Sequence, residues 1–237
     1  MIRALTFDLW NTLLIEKNYN ELRVEALREA LLGEGISRTR DEVTRAHEVA
    51  TRRYNEVWAE DHRHLTNLER LNLSLELLGA QLPDDVKAFV VKQFAEAFLI
   101  DPPELNAGAE QTIRGLPTKI KLGIISDTGL TPGSVIRRFL AEKGLLECFS
   151  ATVFSDELGY CKPDVRAFRR ALGLLGATPS EAIHVGDLLR TDVAGAKAAG
   201  MKAVWLKVRE TERVKGAAPD YIITSLSQLL EIEEIRV

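Results

Sequence analysis

Cysteine is scarce in this 237-residue chain and long apolar runs are missing. Two thiols, Cys148 and Cys161, cannot build a disulfide framework and fit a reducing compartment. No stretch approaches the roughly 18–20 apolar residues that a membrane-spanning helix requires. The opening MIRALTFDLW offers neither an apolar h-region nor a small-residue cleavage site, so no signal peptide is expected there. Asn72-Leu73-Ser74 spells a glycosylation sequon, read as chance without a secretory signal. A basic excess is also absent. Lys and Arg number 31 against 35 Asp and Glu, for a net charge of −4 with both signs dispersed, so no nucleic-acid partner is expected. Repeats and low-complexity segments are missing. Only four glutamines occur, a slight lean toward a thermostable source. What is present, 46% hydrophobic and 28% charged residues, predicts a packed, soluble, cytoplasmic protein.

The hydrophobic period divides the chain. Residues 2–7 form a short apolar β-type run ending at Asp8. From about 18 to 99 the period is helical: Leu22, Ala26, Leu27, Ala30 and Leu31 mark one apolar face. Val43, Ala46, Ala50, Tyr54, Val57 and Trp58 mark a second. Leu68, Leu71, Leu75 and Leu78 continue the series, then Val86, Phe89, Val90 and Phe94. Four helices are expected, with turns at Gly33–Gly35, 61–66 and Gly79–Pro83. After Asp101-Pro102-Pro103, strands are expected at 120–125, 151–154, 182–185, 202–206 and 221–223. Helices near 106–115, 132–143, 164–175, 190–199 and 225–232 alternate with them. Such alternation implies parallel βαβ units in a doubly wound α/β sheet. The strand at 2–7 must join that sheet, which makes the helical segment an insertion. Ligands of open parallel sheets bind beyond the carboxyl ends of strands. Four polar clusters fall at such ends: Asp8, Ser126-Asp127, Lys162 and Asp187.

Phe7-Asp8-Leu9-Trp10-Asn11-Thr12-Leu13 resembles the first motif of the haloacid dehalogenase-like hydrolase superfamily, commonly D-x-D-G-T in its phosphatases. Ile124-Ile125-Ser126-Asp127 resembles the second and Cys161-Lys162-Pro163-Asp164 the third. His184-Val185-Gly186-Asp187, continuing to Asp192 and on to Gly200, resembles the phosphatase form of the fourth. The resemblance covers essentially the whole chain, in the family's motif order. It implies a Rossmann-like core at 1–15 and 99–237 with a four-helix-bundle cap at 16–98. It further implies a phosphatase for which Asp8 is the nucleophile and Mg2+ is bound by Asp8, Asp187, Asp192 and the main-chain carbonyl of Trp10. Ser126, Asp127 and Lys162 would bind the phosphoryl group, with Lys162 also neutralising charge on the nucleophile. The implied partner is a small phosphorylated metabolite, and a monomer or homodimer is expected.

One position departs from the phosphatase pattern: Trp10 stands where the family places its acid–base aspartate. Haloacid dehalogenases of the family have Tyr there, which leans toward metal-free dehalogenation. The acidic pair Asp187 and Asp192 leans back toward a cation site. A phosphate-binding regulator with negligible turnover is the third reading. Asn11 replaces the usual Gly, which Asn's tolerance of unusual dihedrals permits. A helix cap is the lesser reading of Asp192, while His62-Arg63-His64 is read as a solvated turn, Trp58 and Tyr54 as insertion core, and Cys161 as packing.

Overall fold

The computed structural model describes residues 1–208 and 218–236. Strand β1 (Ala4–Phe7) is followed by four helices, α1 (Asn20–Gly33), α2 (Arg40–Glu60), α3 (Asn67–Leu77) and α4 (Asp84–Ile100). Next come α5 (Ala109–Gly115), β2 (Lys121–Ser126), α6 (Gly133–Glu142), β3 (Phe149–Phe154), α7 (Ser155–Leu158) and α8 (Val165–Leu175). The chain continues with β4 (Ala182–Gly186), α9 (Ala194–Ala198), β5 (Lys202–Leu206), β6 (Tyr221–Ile223) and α10 (Glu233–Arg236). The expected 190–199 helix divides into a π-helical turn at Leu189–Val193 and α9, and the 225–232 helix is 3-10 over Leu226–Glu231.

All six strands are parallel, in the order β3-β2-β1-β4-β5-β6. β1 is central: Phe7 lies opposite Ile124 on one side and Val185 on the other. The chain therefore winds outward in both directions from β1, and the switch point lies where β1 meets β4. Strand alternation supplies two cores. Leu5, Phe7, Leu122, Ile124, Ile183 and Val185 pack on one face with Ile113, Phe139 and Leu229. Ala4, Ile125, Ala182, Ala203 and Trp205 pack on the other with Phe168, Leu172 and Val193.

The helical segment leaves and rejoins the sheet through paired connections. Ile15 N–H donates to the Glu104 carbonyl at 3.0 Å, and Lys17 forms an ion pair with Asp101. Its own core joins Val24, Leu27 and Leu31 to Val43, Leu71, Leu75, Val90 and Phe94, and Leu130 enters it from the loop after β2. Thr39 with Glu42 and Thr66 with Glu69 form capping boxes that set where α2 and α3 begin. Leu27, Leu31, Leu71 and Leu75 are buried as the periodicity predicts, but the edges of the apolar faces on α1, α3 and α4 differ from it. Leu22, Leu68 and Phe89 are exposed, while Arg23 and Arg70 are buried.

Candidate active site

The first motif ends β1 and turns at once. Asn11 adopts φ +56°, and its N–H donates to the Leu14 carbonyl at 2.7 Å, a turn in the left-handed region that Asn tolerates. Asp8 is thereby held at the strand's carboxyl end, 5% exposed. Lys162 Nζ donates to Asp8 Oδ1 at 2.5 Å and to Asp192 Oδ1 at 2.6 Å. A second pair of bonds fixes Asp192. Its Oδ2 accepts the Leu188 N–H at 2.9 Å, and its Oδ1 lies 3.2 Å from His184 Nε2. Burial lowers the His184 pKa, so the ring is neutral, with Nε2–H donating to Asp192 and Nδ1 accepting the Thr6 hydroxyl at 2.9 Å. Asp192 does not cap α9; it folds back over β4. A Cβ at Gly186 would sit 2.3 Å from Asp192 Cγ, so only glycine admits that approach.

Asp187 follows β4 and is also 5% exposed, its carbonyl accepting the Trp205 indole N–H at 2.9 Å. One oxygen from each of Asp8, Asp187 and Asp192 can be chosen so that all three lie within 4.8 Å of one another. That crowding sets their proton affinities. Burial pushes Asp8 up to about 7 against the pull of Lys162, with Asp192 reinforcing the rise. Burial, then the Asp8 and Asp192 carboxylates, push Asp187 up to about 8. Asp192 moves the opposite way: burial would raise it, but Lys162 and His184 hold it well below the carboxylate range.

Asp127 ties both halves of the chain together. Its Oδ1 accepts the Lys162 main-chain N–H at 3.0 Å and its Oδ2 accepts the Trp58 indole N–H at 2.9 Å. Its carbonyl accepts the Trp10 indole N–H at 3.0 Å. A cavity of about 710 Å³ is lined by Asp8, Trp10, Asp127, Lys162, Asp187 and Asp192. Ser126, the seventh residue expected at the site, ends β2 but does not line this cavity. Its hydroxyl is buried without a protein partner.

Several residues outside the motifs proved different from expectation. Trp58 packs against the small apolar cluster of Tyr54, Val57 and Leu65 and also lines the cavity, bonded to Asp127 and covered by Arg190, whose Cζ is 4.0 Å from the ring. Tyr54 is buried and also lines the cavity. His64 is not solvated: it is 4% exposed, with Nδ1 3.1 Å from Ser155 Oγ, which accepts the Thr128 N–H at 3.0 Å. Cys161 is fully buried, as packing requires. The cavity's far wall holds Arg23 and Arg70, which no motif marked. The available signal was an arginine inside a stretch whose helical period alternates with buried leucines.

Comparison with known proteins agrees with this geometry. The haloacid dehalogenase-like hydrolase family profile matches residues 2–200. The glyceraldehyde 3-phosphate phosphatase of Methanothermobacter thermautotrophicus is 27% identical over 98% of this chain and 100% of its own length. A HAD phosphatase from Thermococcus onnurineus superposes with a TM-score of 0.68 at 26% identity, covering 100% of both chains. A 2-haloacid dehalogenase from Pseudomonas syringae superposes with a TM-score of 0.72 at 28% identity, covering 98% of this chain and 97% of that one. With four motifs at the strand ends of one parallel sheet and a profile match over most of its length, the chain belongs to the haloacid dehalogenase-like hydrolase family.

Proposed function

We propose that this chain is a magnesium-dependent phosphatase that forms an aspartyl-phosphate at Asp8 and acts on a small phosphorylated metabolite. Residues 16–98 serve as the cap over a core at 1–15 and 99–237. One observation carries the reading: Asp8, Asp187 and Asp192 are buried within ligand distance of each other with Lys162 the cation bonded among them. Three packed carboxylates and one ammonium leave an excess of negative charge that a hard divalent cation suits. The elevated pKa values of Asp8 and Asp187 express the same deficit. Asp8 and Asp187 would hold the ion, joined by the Trp10 carbonyl, with Asp192 as ligand or orienter because Lys162, His184 and Leu188 already engage its oxygens. When bound, magnesium neutralises the repulsion between a carboxylate and an incoming phosphate.

The chain's own residues supply the remaining steps. An Asp8 oxygen bonds to phosphorus as the ester P–O bond breaks, giving the acyl-phosphate and the alcohol. Lys162 stays beside Asp8 and offsets charge on the transferring oxygens. The Asp127 N–H would bind those oxygens, and the unpartnered Ser126 hydroxyl would have to turn from its buried position at the end of β2 to join it. Water then attacks phosphorus, releasing phosphate and restoring Asp8. Trp10 sets the pace. Its indole N–H is committed to the Asp127 carbonyl and donates no proton to a leaving group. Water must serve instead, and loss of a positioned acid–base group costs about 10²–10⁴-fold in rate.

Trp10 is the observation that favours the alternative, halide displacement without metal, and the Pseudomonas syringae dehalogenase is a structural neighbour. The test is one purified sample assayed for phosphate release from p-nitrophenyl phosphate and halide release from 2-chloropropionate, each with magnesium and with EDTA. Phosphate release that EDTA abolishes is the expected result. Halide release indifferent to EDTA assigns the chain to the dehalogenases, and neither activity favours the regulator.

A further inference from the structure

Among the residues that line the cavity are two buried arginines that no carboxylate among the described residues pairs. Arg23, on α1, is 7% exposed, and Arg70, on α3, is 5% exposed. Neither forms an ion pair among the described residues, although both line the cavity with Asp8 and Lys162. Arg23 donates from Nε to the Phe94 carbonyl at 3.1 Å and from Nη2 to Thr131 Oγ1 at 3.2 Å. Arg70 donates from Nη2 to Thr51 Oγ1 at 3.1 Å, with its guanidinium 4.6 Å from the centre of the Tyr54 ring. Its Nε is buried with no acceptor at all. A guanidinium has five donors, so most of those on Arg70 lack a protein partner.

The two side chains share one neighbourhood. Burial and then Arg70 lower Arg23 to about 9, and burial lowers Arg70 to about 10, so both stay charged at neutral pH. His47, bonded to Asn20 Oδ1 at 3.2 Å, is lowered to about 4 by burial and by both arginines, and so adds no charge. An unpaired buried charge costs several kcal/mol, and a missing partner is the ordinary reason to keep one. Planar forked donors suit a carboxylate or a phosphate.

Resting on the phosphatase reading, we propose that the substrate is a phosphate monoester bearing a second anionic group, and that Arg23 and Arg70 bind that group while the ester phosphate sits at Asp8. The second anion is a carboxylate or a second phosphate, which share this recognition chemistry. Arg23 and Arg70 then determine specificity, setting which phosphorylated metabolite the enzyme accepts.

The test compares glycerol 3-phosphate, 3-phosphoglycerate and glycerol 1,3-bisphosphate on the magnesium-loaded protein. Expected is a kcat/KM for one or both two-anion esters about 10²-fold above that for glycerol 3-phosphate, as when a site built for a polar group meets an analogue lacking it. Which of the two is preferred tells carboxylate from phosphate. Arg70→Met should shrink the preference by about tenfold or more, with Arg70→Lys restoring part of it. Calorimetric titration of the same esters into the Asp8→Asn protein reads the preference as a ratio of Kd, without turnover. Equal kcat/KM for all three esters overturns the second-anion site and leaves the phosphatase reading standing. No turnover of any ester removes the phosphatase reading, while the Kd ratio still decides the anion site. Should the Arg70 variants not fold, the wild-type ratio alone gives the answer.

Discussion

The two walls of the cleft bury charge by different means. On the sheet side most of the fixed charge is bonded together: Lys162 joins Asp8 to Asp192, and His184 and Leu188 complete Asp192. The surplus there is negative and concentrated in three carboxylates. On the helical side the surplus is positive, and Arg70 is left with a buried donor that nothing accepts. Neither wall is electrically complete. A magnesium ion on one side and a dianionic ester spanning both would complete them together, which is a physical reason for an active site to retain such costly groups.

Removing the proposed nucleophile should give the largest effect. Asp8→Asn is expected to lower phosphate release by about 10⁴-fold or more, since no side chain remains to form the covalent intermediate. The fold should persist, because the substitution relieves repulsion with Asp187 and leaves Lys162 its bond to Asp192. Phosphate assays beside a thermal melt check both halves. Near-normal activity in a folded variant would remove Asp8 from its role.

The surplus on the sheet side also predicts how stability responds to pH. Asp8 and Asp187 have folded-state values of about 7 and about 8, above the unfolded value near 3.8. Between those limits these two carboxyls bind more protons in the folded protein than in the unfolded chain, whereas His47, His64 and His184, all lowered by burial, act the opposite way below about 6.5, so stability falls as pH rises from about 6.5 to about 8. Asp192 and Lys162 do not reverse the trend there, since Asp192 is lowered and Lys162 raised, with their titrations outside that window. Chemical denaturation of EDTA-treated protein at pH 6.5 and 8.5 should find it less stable at 8.5. Magnesium bound there would oppose this by favouring the ionised form, with a stabilisation of about 2.7 kcal/mol at a hundredfold excess over Kd. The magnesium-induced rise in Tm should therefore be larger at pH 8.5 than at pH 6.5. Asp187→Ala should raise the magnesium concentration needed for half-maximal activity at least about tenfold, following the loss expected for a metal ligand or its support. A Tm indifferent to magnesium at both pH values would contradict the cation reading.

The sheet side was more legible than the helical side for a physical reason. Strand ends announce themselves: an apolar run stops at a polar residue, and Asp8, Ser126 and Asp187 were found that way. β5 and β6 fall at the expected residues, 202–206 and 221–223, because buried parallel strands are short unbroken apolar runs. In the helices, periodicity assigns faces by hydrophobicity alone. That logic exposes Arg23 and buries Leu22, whereas the structure does the reverse. A buried charge lining a cavity breaks the rule that periodicity rests on, so Arg23 and Arg70 were the hardest residues to see. Ser126 shows a related limit: sequence position placed it at the site, yet only the structure shows its hydroxyl buried away from the cavity wall.

The smallest expected effect is a gain, and it concerns the residue where the two walls meet. Trp10 donates its indole N–H to the Asp127 carbonyl and meets Phe98 of α4 edge-on, with ring centres 5.9 Å apart and planes at 83°. Asp127 in turn accepts the Trp58 indole from α2, so both indoles brace the cavity through one residue. Trp10→Asp places a carboxyl group where the family's phosphatases keep their acid–base aspartate, and it removes the Phe98 contact. Two effects then compete. A proton donor should raise turnover on an ester with a poor leaving group by about tenfold, a partial recovery of the 10²–10⁴-fold that such a group is worth. The added negative charge and the lost aromatic contact should lower Tm, and magnesium should restore part of it. Substrate choice separates the causes. p-Nitrophenolate leaves without a proton, so Trp10→Asp should accelerate an alkyl phosphate more than p-nitrophenyl phosphate. Trp10→Ala opens the same space without a donor and serves as the control. Equal acceleration by both variants on both esters would mean that Trp10 acts by holding the helical wall against the sheet, and no acceleration in either would clear Trp10 of limiting the enzyme.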